Sequence, residues 1–128
     1  MIRGLGRHII AEFHECDAKT LKDEQLIKNL LTEAANASKS HILSSFSVNF
    51  GGEGGVSAIL IIQESHISIH TWPEHNYAAV DIFTCGEKTD PVAALEVIAN
   101  TLKPRFVNTM EVKRGVLTEL RTREAQFY

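Results

Sequence analysis

The run from Glu64 to Gly86 gathers serine, histidine, carboxylate and thiol side chains into little more than two strand lengths. Few structural segments need that mixture. Ser65 and Cys85 are nucleophiles in waiting, His66, His70 and His75 can move protons near neutral pH, and Glu64, Glu74 and Asp81 supply negative charge. Each also has an ordinary explanation when taken alone. Ser65 suits a strand edge, His70 a half-buried, hydrogen-bonded position, Cys85 an apolar filler and Glu74 a solvated turn. His66, His70 and His75 with Glu74 stand at none of the established zinc spacings, so no metal site is expected. Gly55-Val56-Ser57-Ala58-Ile59 lacks the final glycine of a nucleophile elbow. The glycine-rich stretch from Gly51 to Gly55 is not followed by the Lys-Ser/Thr that a phosphate loop requires.

The elements that must position these groups can be read from periodicity. Arg7 to His14 fits a first strand. Thr20 to Ser38 carries apolar pairs at Leu26/Ile27, Leu30/Leu31 and Ala34/Ala35, the stripe of one helix with Thr20 as its N-cap. Ile42 to Phe50 is polar but rich in β-formers, the glycines from 51 to 55 break it, and Val56 to Ile62 returns as a buried strand. Between His66 and His70 the alternation sends Ile67 and Ile69 to the core and His66, Ser68 and His70 to the other face. Trp72 to Asn76 turns the chain. Tyr77 to Cys85 then puts Tyr77, Ala79, Asp81, Phe83 and Cys85 on one side. Asp90-Pro91 is an N-cap followed by an N1 proline, opening a helix with Ala94, Leu95, Ile98 and Leu102 as its stripe, and Arg105 to Lys113 forms a last strand. This order predicts an α+β fold: a mainly antiparallel β-sheet with two helices packed on one face, a two-layer sandwich whose other face a homodimer would cover.

A chain of 128 residues suits a single domain, residues 1–128. A hydrophobic fraction of 44% and a charged fraction of 23% exclude disorder and low complexity. The net charge of −3, with basic residues scattered, argues against a nucleic-acid partner, and no basic amphipathic stretch or long apolar run suggests a membrane. The first residues lack the apolar core of a signal peptide, so a cytoplasmic location is expected, with Cys16 and Cys85 as free thiols. Cys16 is expected to be a core thiol.

The order Glu64-Ser65, His70, Cys85 closely resembles the self-cleavage and catalytic signature of the prokaryotic S-adenosylmethionine decarboxylase proenzymes. The likeness runs from Gly6-Arg7-His8 and Glu15-Cys16-Asp17 through Gly55-Val56-Ser57 to the helix after Asp90-Pro91, and only the C-terminal tail looks different. The resemblance implies that Ser65 is the precursor of a pyruvoyl cofactor. Its hydroxyl would attack the Glu64 carbonyl in an N-to-O acyl shift, and elimination of the ester would leave dehydroalanine, which hydrolyses to the pyruvoyl group. The chain would then be cut into residues 1–64 (beta chain) and 65–128 (alpha chain).

The resemblance makes His70 the base in processing and Cys85 the proton donor in decarboxylation. The pyruvoyl carbonyl would form a Schiff base with the substrate amine and accept the electrons left by carbon dioxide. For substrate binding it implies Phe50 against the adenine, Glu74 on the ribose hydroxyls, Ser57 beside the processing site, and Ile67. The implied reaction is decarboxylation of S-adenosylmethionine to the aminopropyl donor of spermidine synthesis, in a homodimer with its active site at the interface. Strict alternation turns Ser65 and His70 to opposite faces, so His70 can serve only if the strand turns or bulges at Ser65. The glycine-rich stretch stands where bulkier residues usually flank the substrate, and Ala58 where glycine is usual. These departures keep two alternatives open: a pyruvoyl-dependent ornithine or arginine decarboxylase on the same scaffold, and an unprocessed, non-catalytic partner subunit.

Overall fold

A computed structural model describes residues 4–117. Alternating apolar residues produce six strands, β1 (Gly4–His14), β2 (His41–Asn49), β3 (Val56–Gln63), β4 (Ser65–Trp72), β5 (Tyr77–Cys85) and β6 (Phe106–Val116). Between them lie helices α1 (Ala18–Lys22), α2 (Glu24–Ala37) and α3 (Pro91–Leu102), and a 3-10 turn at Pro73–His75. The strands form one sheet in the order β2-β3-β4-β5-β1-β6, every neighbouring pair antiparallel. Helix α2 lies against β2 and β3, and α3 against β1 and β5, on the same side of the sheet. This is the expected two-layer α+β architecture. The divergent C-terminal tail lies, beyond residue 117, outside the described residues.

The core is the interface between those layers. Ile9, Phe13, Leu60, Ile62, Ile67, Ile69 and Ile82 from the sheet meet Ile27, Leu30, Leu31, Ile98 and Leu102 from the helices, all 3% exposed or less. Each such side chain contributes about 1.5–3 kcal/mol on burial. The opposite face is uncovered: Ile10, Phe46, Val48 and Met110 remain 36%, 64%, 53% and 62% exposed. An antiparallel sheet can leave one face wet, but a wet face is ordinarily polar.

One expected helix is two. The carboxylate of Asp17, not Thr20, caps α1 by accepting the Thr20 N–H at 3.2 Å, and Asp23 caps α2 by accepting the Leu26 N–H at 3.0 Å. Asp23 is extended, with φ −86° and ψ 95°, so the chain bends between the two and Leu21 enters the core. Helix α3 begins as expected, with Asp90 accepting the Ala93 N–H at 3.1 Å and Pro91 in the first turn.

The glycine loop is stitched to β4. The Thr71 hydroxyl accepts the Val56 N–H at 2.8 Å and donates to the Leu21 carbonyl at 2.8 Å, tying α1, β3 and β4 together. A Cβ on Gly55 would stand 1.9 Å from the Thr71 carbonyl oxygen, whereas one on Gly51 would meet nothing within 4 Å, its only constraint being φ +77°. Gly55→Ala is therefore expected to destabilise by about 1–3 kcal/mol, the usual result of overpacking. Gly51→Ala should cost about 1 kcal/mol from φ alone. Urea unfolding of the two variants checks the order.

Candidate active site

The polar face that strand alternation predicts is present, and its chemistry is split between the two ends of β4. At the first end, β3 reverses into β4 through Glu64 alone. Ser65 pairs with Ile62, yet this reversal brings its hydroxyl 3.2 Å from the Cys85 thiol, on the open side of the sheet. Gly6 pairs with Cys85, and a Cβ there would lie 3.0 Å from the Cys85 sulfur and 2.7 Å from the Phe83 ring, so the missing side chain makes room for both. A cavity of about 480 Å³ opens here, lined by Leu5, Glu64, Phe83, Cys85 and Arg114 among others.

The second end holds the other pair. Ser57 faces His70 across β3 and β4, its hydroxyl 2.8 Å from His70 Nδ1. Phe46, Val48, Ile59, Ser68 and these two line a smaller cavity of about 270 Å³. Phe50 is exposed where β2 runs into the glycine loop, and Glu74 is exposed in the turn after β4, both at this end of the sheet. His70 is five residues along an extended strand from Ser65, roughly 16 Å at 3.3 Å per residue. The turn at Ser65 exists, but it does not bring Ser65 and His70 together within one chain. Ile67 is fully buried in the helix-covered core, so its side chain lines neither cavity.

Between the ends runs a connected polar row that the sequence left without roles. His8 Nε2 lies 2.8 Å from Asp81 Oδ1, and Arg114 Nη1 lies 3.0 Å from His8 Nδ1. His8 stacks on Phe83 at 5.3 Å, and the Arg114 guanidinium sits 4.8 Å from the same ring centroid. Burial, then the neighbouring His8, holds His66 below the ordinary histidine value; Asp81 opposes this and Arg114 adds to it. Farther along, burial and a hydrogen bond to Glu12 push the Tyr77 hydroxyl up to about 12, so it remains protonated. His8 was visible in the Gly6-Arg7-His8 motif. Arg114 had no sequence signal, because its partners come from β1 and β5.

Among the described residues no group of three or more His, Cys, Asp or Glu is placed to hold a metal ion, and no helix is long and apolar enough to cross a membrane. The S-adenosylmethionine decarboxylase family model matches residues 7–115, most of the chain. The chain belongs to that family. It is 44% identical over 115 residues to the S-adenosylmethionine decarboxylase proenzyme of Pyrobaculum neutrophilum, covering 90% of this chain and 93% of that one. Identity to the proenzyme of the same name from Thermotoga petrophila is also 44%, over 119 residues, covering 93% and 91%. The crystal structure of the adenosylmethionine decarboxylase from Aquifex aeolicus VF5 superposes with a TM-score of 0.84 at 32% identity, covering 94% of this chain and 98% of that one. The S-adenosylmethionine decarboxylase fold thus accounts for nearly the whole described chain.

The two thiols differ by environment alone. Cys16 is 2% exposed, and burial pushes it up to about 11, where almost none is thiolate at neutral pH. Cys85 is half-buried at the rim of the larger cavity. Iodoacetamide at pH 8 is therefore expected to add one label to the native protein, at Cys85, and a second only after denaturation. Peptide mapping distinguishes this from label at Cys16.

Proposed function

We propose that this chain is a cytoplasmic, self-processing, pyruvoyl-dependent S-adenosylmethionine decarboxylase whose active site is built by two copies. The observation that carries the reading is the 3.2 Å approach of Ser65 Oγ to Cys85 Sγ at the Glu64 reversal, in a chain of this family. The relatives' names supply the substrate, and their description as proenzymes supports a chain that must be cut. Two free thiols among the described residues suit a reducing compartment.

Processing begins with attack of Ser65 Oγ on the Glu64 carbonyl carbon, and ends with chains 1–64 and 65–128 and a pyruvoyl group at residue 65. The surroundings suit that group: Ser65 is half-buried, beside a thiol and an open cavity large enough for a substrate. When formed, the group supplies an electron sink for loss of carbon dioxide. Cys85, 3.2 Å from Ser65 Oγ, is within reach to return a proton to the substrate carbon. Phe50 and Glu74 are assigned to the adenine and the ribose of the substrate.

On this reading His70 acts as the base from the other copy. Ser57 and His70 form a hydrogen-bonded pair roughly 16 Å from Ser65, at the far end of the same strand. A second copy related by a two-fold axis, its open face against this one, would set its Ser57–His70 pair against the Ser65–Cys85 pair here, and the reverse. The exposed Ile10, Phe46, Val48 and Met110 are the apolar surface such an interface would bury. His70 of the partner subunit then serves as the base in processing, with Ser57 of the partner subunit holding its ring.

Intact mass under denaturing conditions tests the first part. The wild type is expected to give two fragments of roughly half the chain mass, the C-terminal one lighter by one ammonia than simple hydrolysis predicts, while Ser65→Ala stays whole. An uncut wild type would leave the protein without its cofactor and refute the reading. Co-expression tests the second part. His70→Ala and Cys85→Ala chains should each be inactive alone, but random pairing should restore about a quarter of wild-type decarboxylation, because half the dimers are mixed and each mixed dimer has one whole site. No recovery in purified mixed dimers would refute the shared site.

A further inference from the structure

We propose that Arg114 receives the carboxylate that leaves when the chain is cut, acting as a catalytic residue of self-processing rather than of decarboxylation. The inference rests on the processing reading above. It begins with charge. After the acyl shift, Glu64 is joined to Ser65 Oγ through an ester, and the Ser65 nitrogen is a free amine. Elimination breaks the Ser65 Cα–H and Cβ–Oγ bonds. The proton goes to the base, the Cα–H electron pair becomes the Cα=Cβ bond of dehydroalanine, and the Cβ–Oγ pair departs with the oxygen. That oxygen becomes part of the new α-carboxylate of Glu64. Water then adds at Cα of residue 65 and the nitrogen leaves as ammonia.

Residue 64 thus changes from one carboxylate to two during a single step, inside a partly enclosed cavity. Among the described residues that line this cavity, Arg114 is the one that carries a positive charge. A developing carboxylate with no cation beside it would raise the barrier to elimination, whereas a preplaced donor lowers it. A guanidinium is permanently charged and presents paired N–H groups that match a carboxylate.

Arg114 is held in place by contacts from two other strands. An arginine can only donate, so His8 Nδ1 must be the acceptor of the 3.0 Å contact with Nη1. His8 therefore carries its proton on Nε2 and donates it to Asp81 Oδ1 at 2.8 Å. Phe83, 4.8 Å from the guanidinium carbon, supports the flat face. Among the described residues His8 engages one of the five guanidinium N–H groups, and the remaining N–H groups of the fork suit the Glu64 carboxylates. His8 and Asp81 are positioning residues, since they act through Arg114.

The test uses the full chain with Arg114→Met and Arg114→Lys, followed by intact mass with and without neutral hydroxylamine, which cleaves esters and spares peptide bonds. Loss of one such donor should slow appearance of the pyruvoyl fragment roughly 100- to 1,000-fold in Arg114→Met. The uncut species should accumulate as the ester and split on hydroxylamine into a C-terminal fragment that still begins with intact serine. Arg114→Lys should recover part of the rate. Processing of Arg114→Met at the wild-type rate would overturn the inference. So would an uncut variant that resists hydroxylamine, because the lesion would then precede elimination or lie in the fold. A wild type that is itself uncut and hydroxylamine-resistant would instead overturn the processing reading, and this inference with it.

Discussion

Ser65 and His70 are fixed five residues apart on one extended, centrally paired strand, and no side-chain rotation closes a gap of roughly 16 Å. The strand cannot buckle to help, because β4 is laddered to β3 on one side and β5 on the other along nearly its whole length. A chain that needs both residues at one point must borrow one of them. On the proposed two-copy reading, that constraint gives a single reason for features otherwise unrelated. Among the described residues the packed helices lie on one side, the uncovered face mixes polar groups with exposed apolar ones, and two cavities each hold part of the expected chemistry.

The helix-covered face makes such precision possible. Its buried core side chains are 4% exposed or less, so the sheet that carries the polar row is backed by close packing rather than solvent. Local devices then adjust single positions. The one-residue reversal at Glu64 overrides the alternation that would turn the Ser65 hydroxyl toward the helices. Gly6 clears space for Cys85 and Phe83, and Thr71 anchors the glycine loop from which Phe50 projects. Two cysteines of identical intrinsic chemistry are separated by the same logic: one is sealed in the core and the other stands at a cavity rim.

What could be read from the residues was whatever depends on neighbours in the chain. The alternation in β5, the Asp90-Pro91 cap and the histidine-bearing face of β4 are local patterns, and they hold, whereas β3, read as a buried strand, buries only alternate residues because its other face looks onto the uncovered side of the sheet. The break at Asp23 was hidden because the apolar stripe continues across it and only the cap geometry separates α1 from α2. Ile67 shows the conflict between two kinds of inference. Alternation placed it in the core, family likeness placed it with the substrate, and its side chain is in the core. Arg114 was illegible for a different reason. Its contacts to His8 span 106 positions in sequence and exist only because β6 pairs with β1, which no local pattern specifies.

The division of the site also bears on when the chain can be cut. In a single copy the Ser65 hydroxyl has the Cys85 thiol beside it, while the Ser57–His70 pair assigned to processing lies at the other end of the strand. On the proposed two-copy reading, the bond at Glu64 stays whole in a lone chain and breaks only once a second copy supplies the base. Cleavage then follows assembly. The order is chemically useful, because a pyruvoyl carbonyl is an electrophile that reacts with any amine it meets. Forming it inside a completed interface, with the uncovered face already buried, keeps it from solvent until a substrate amine enters.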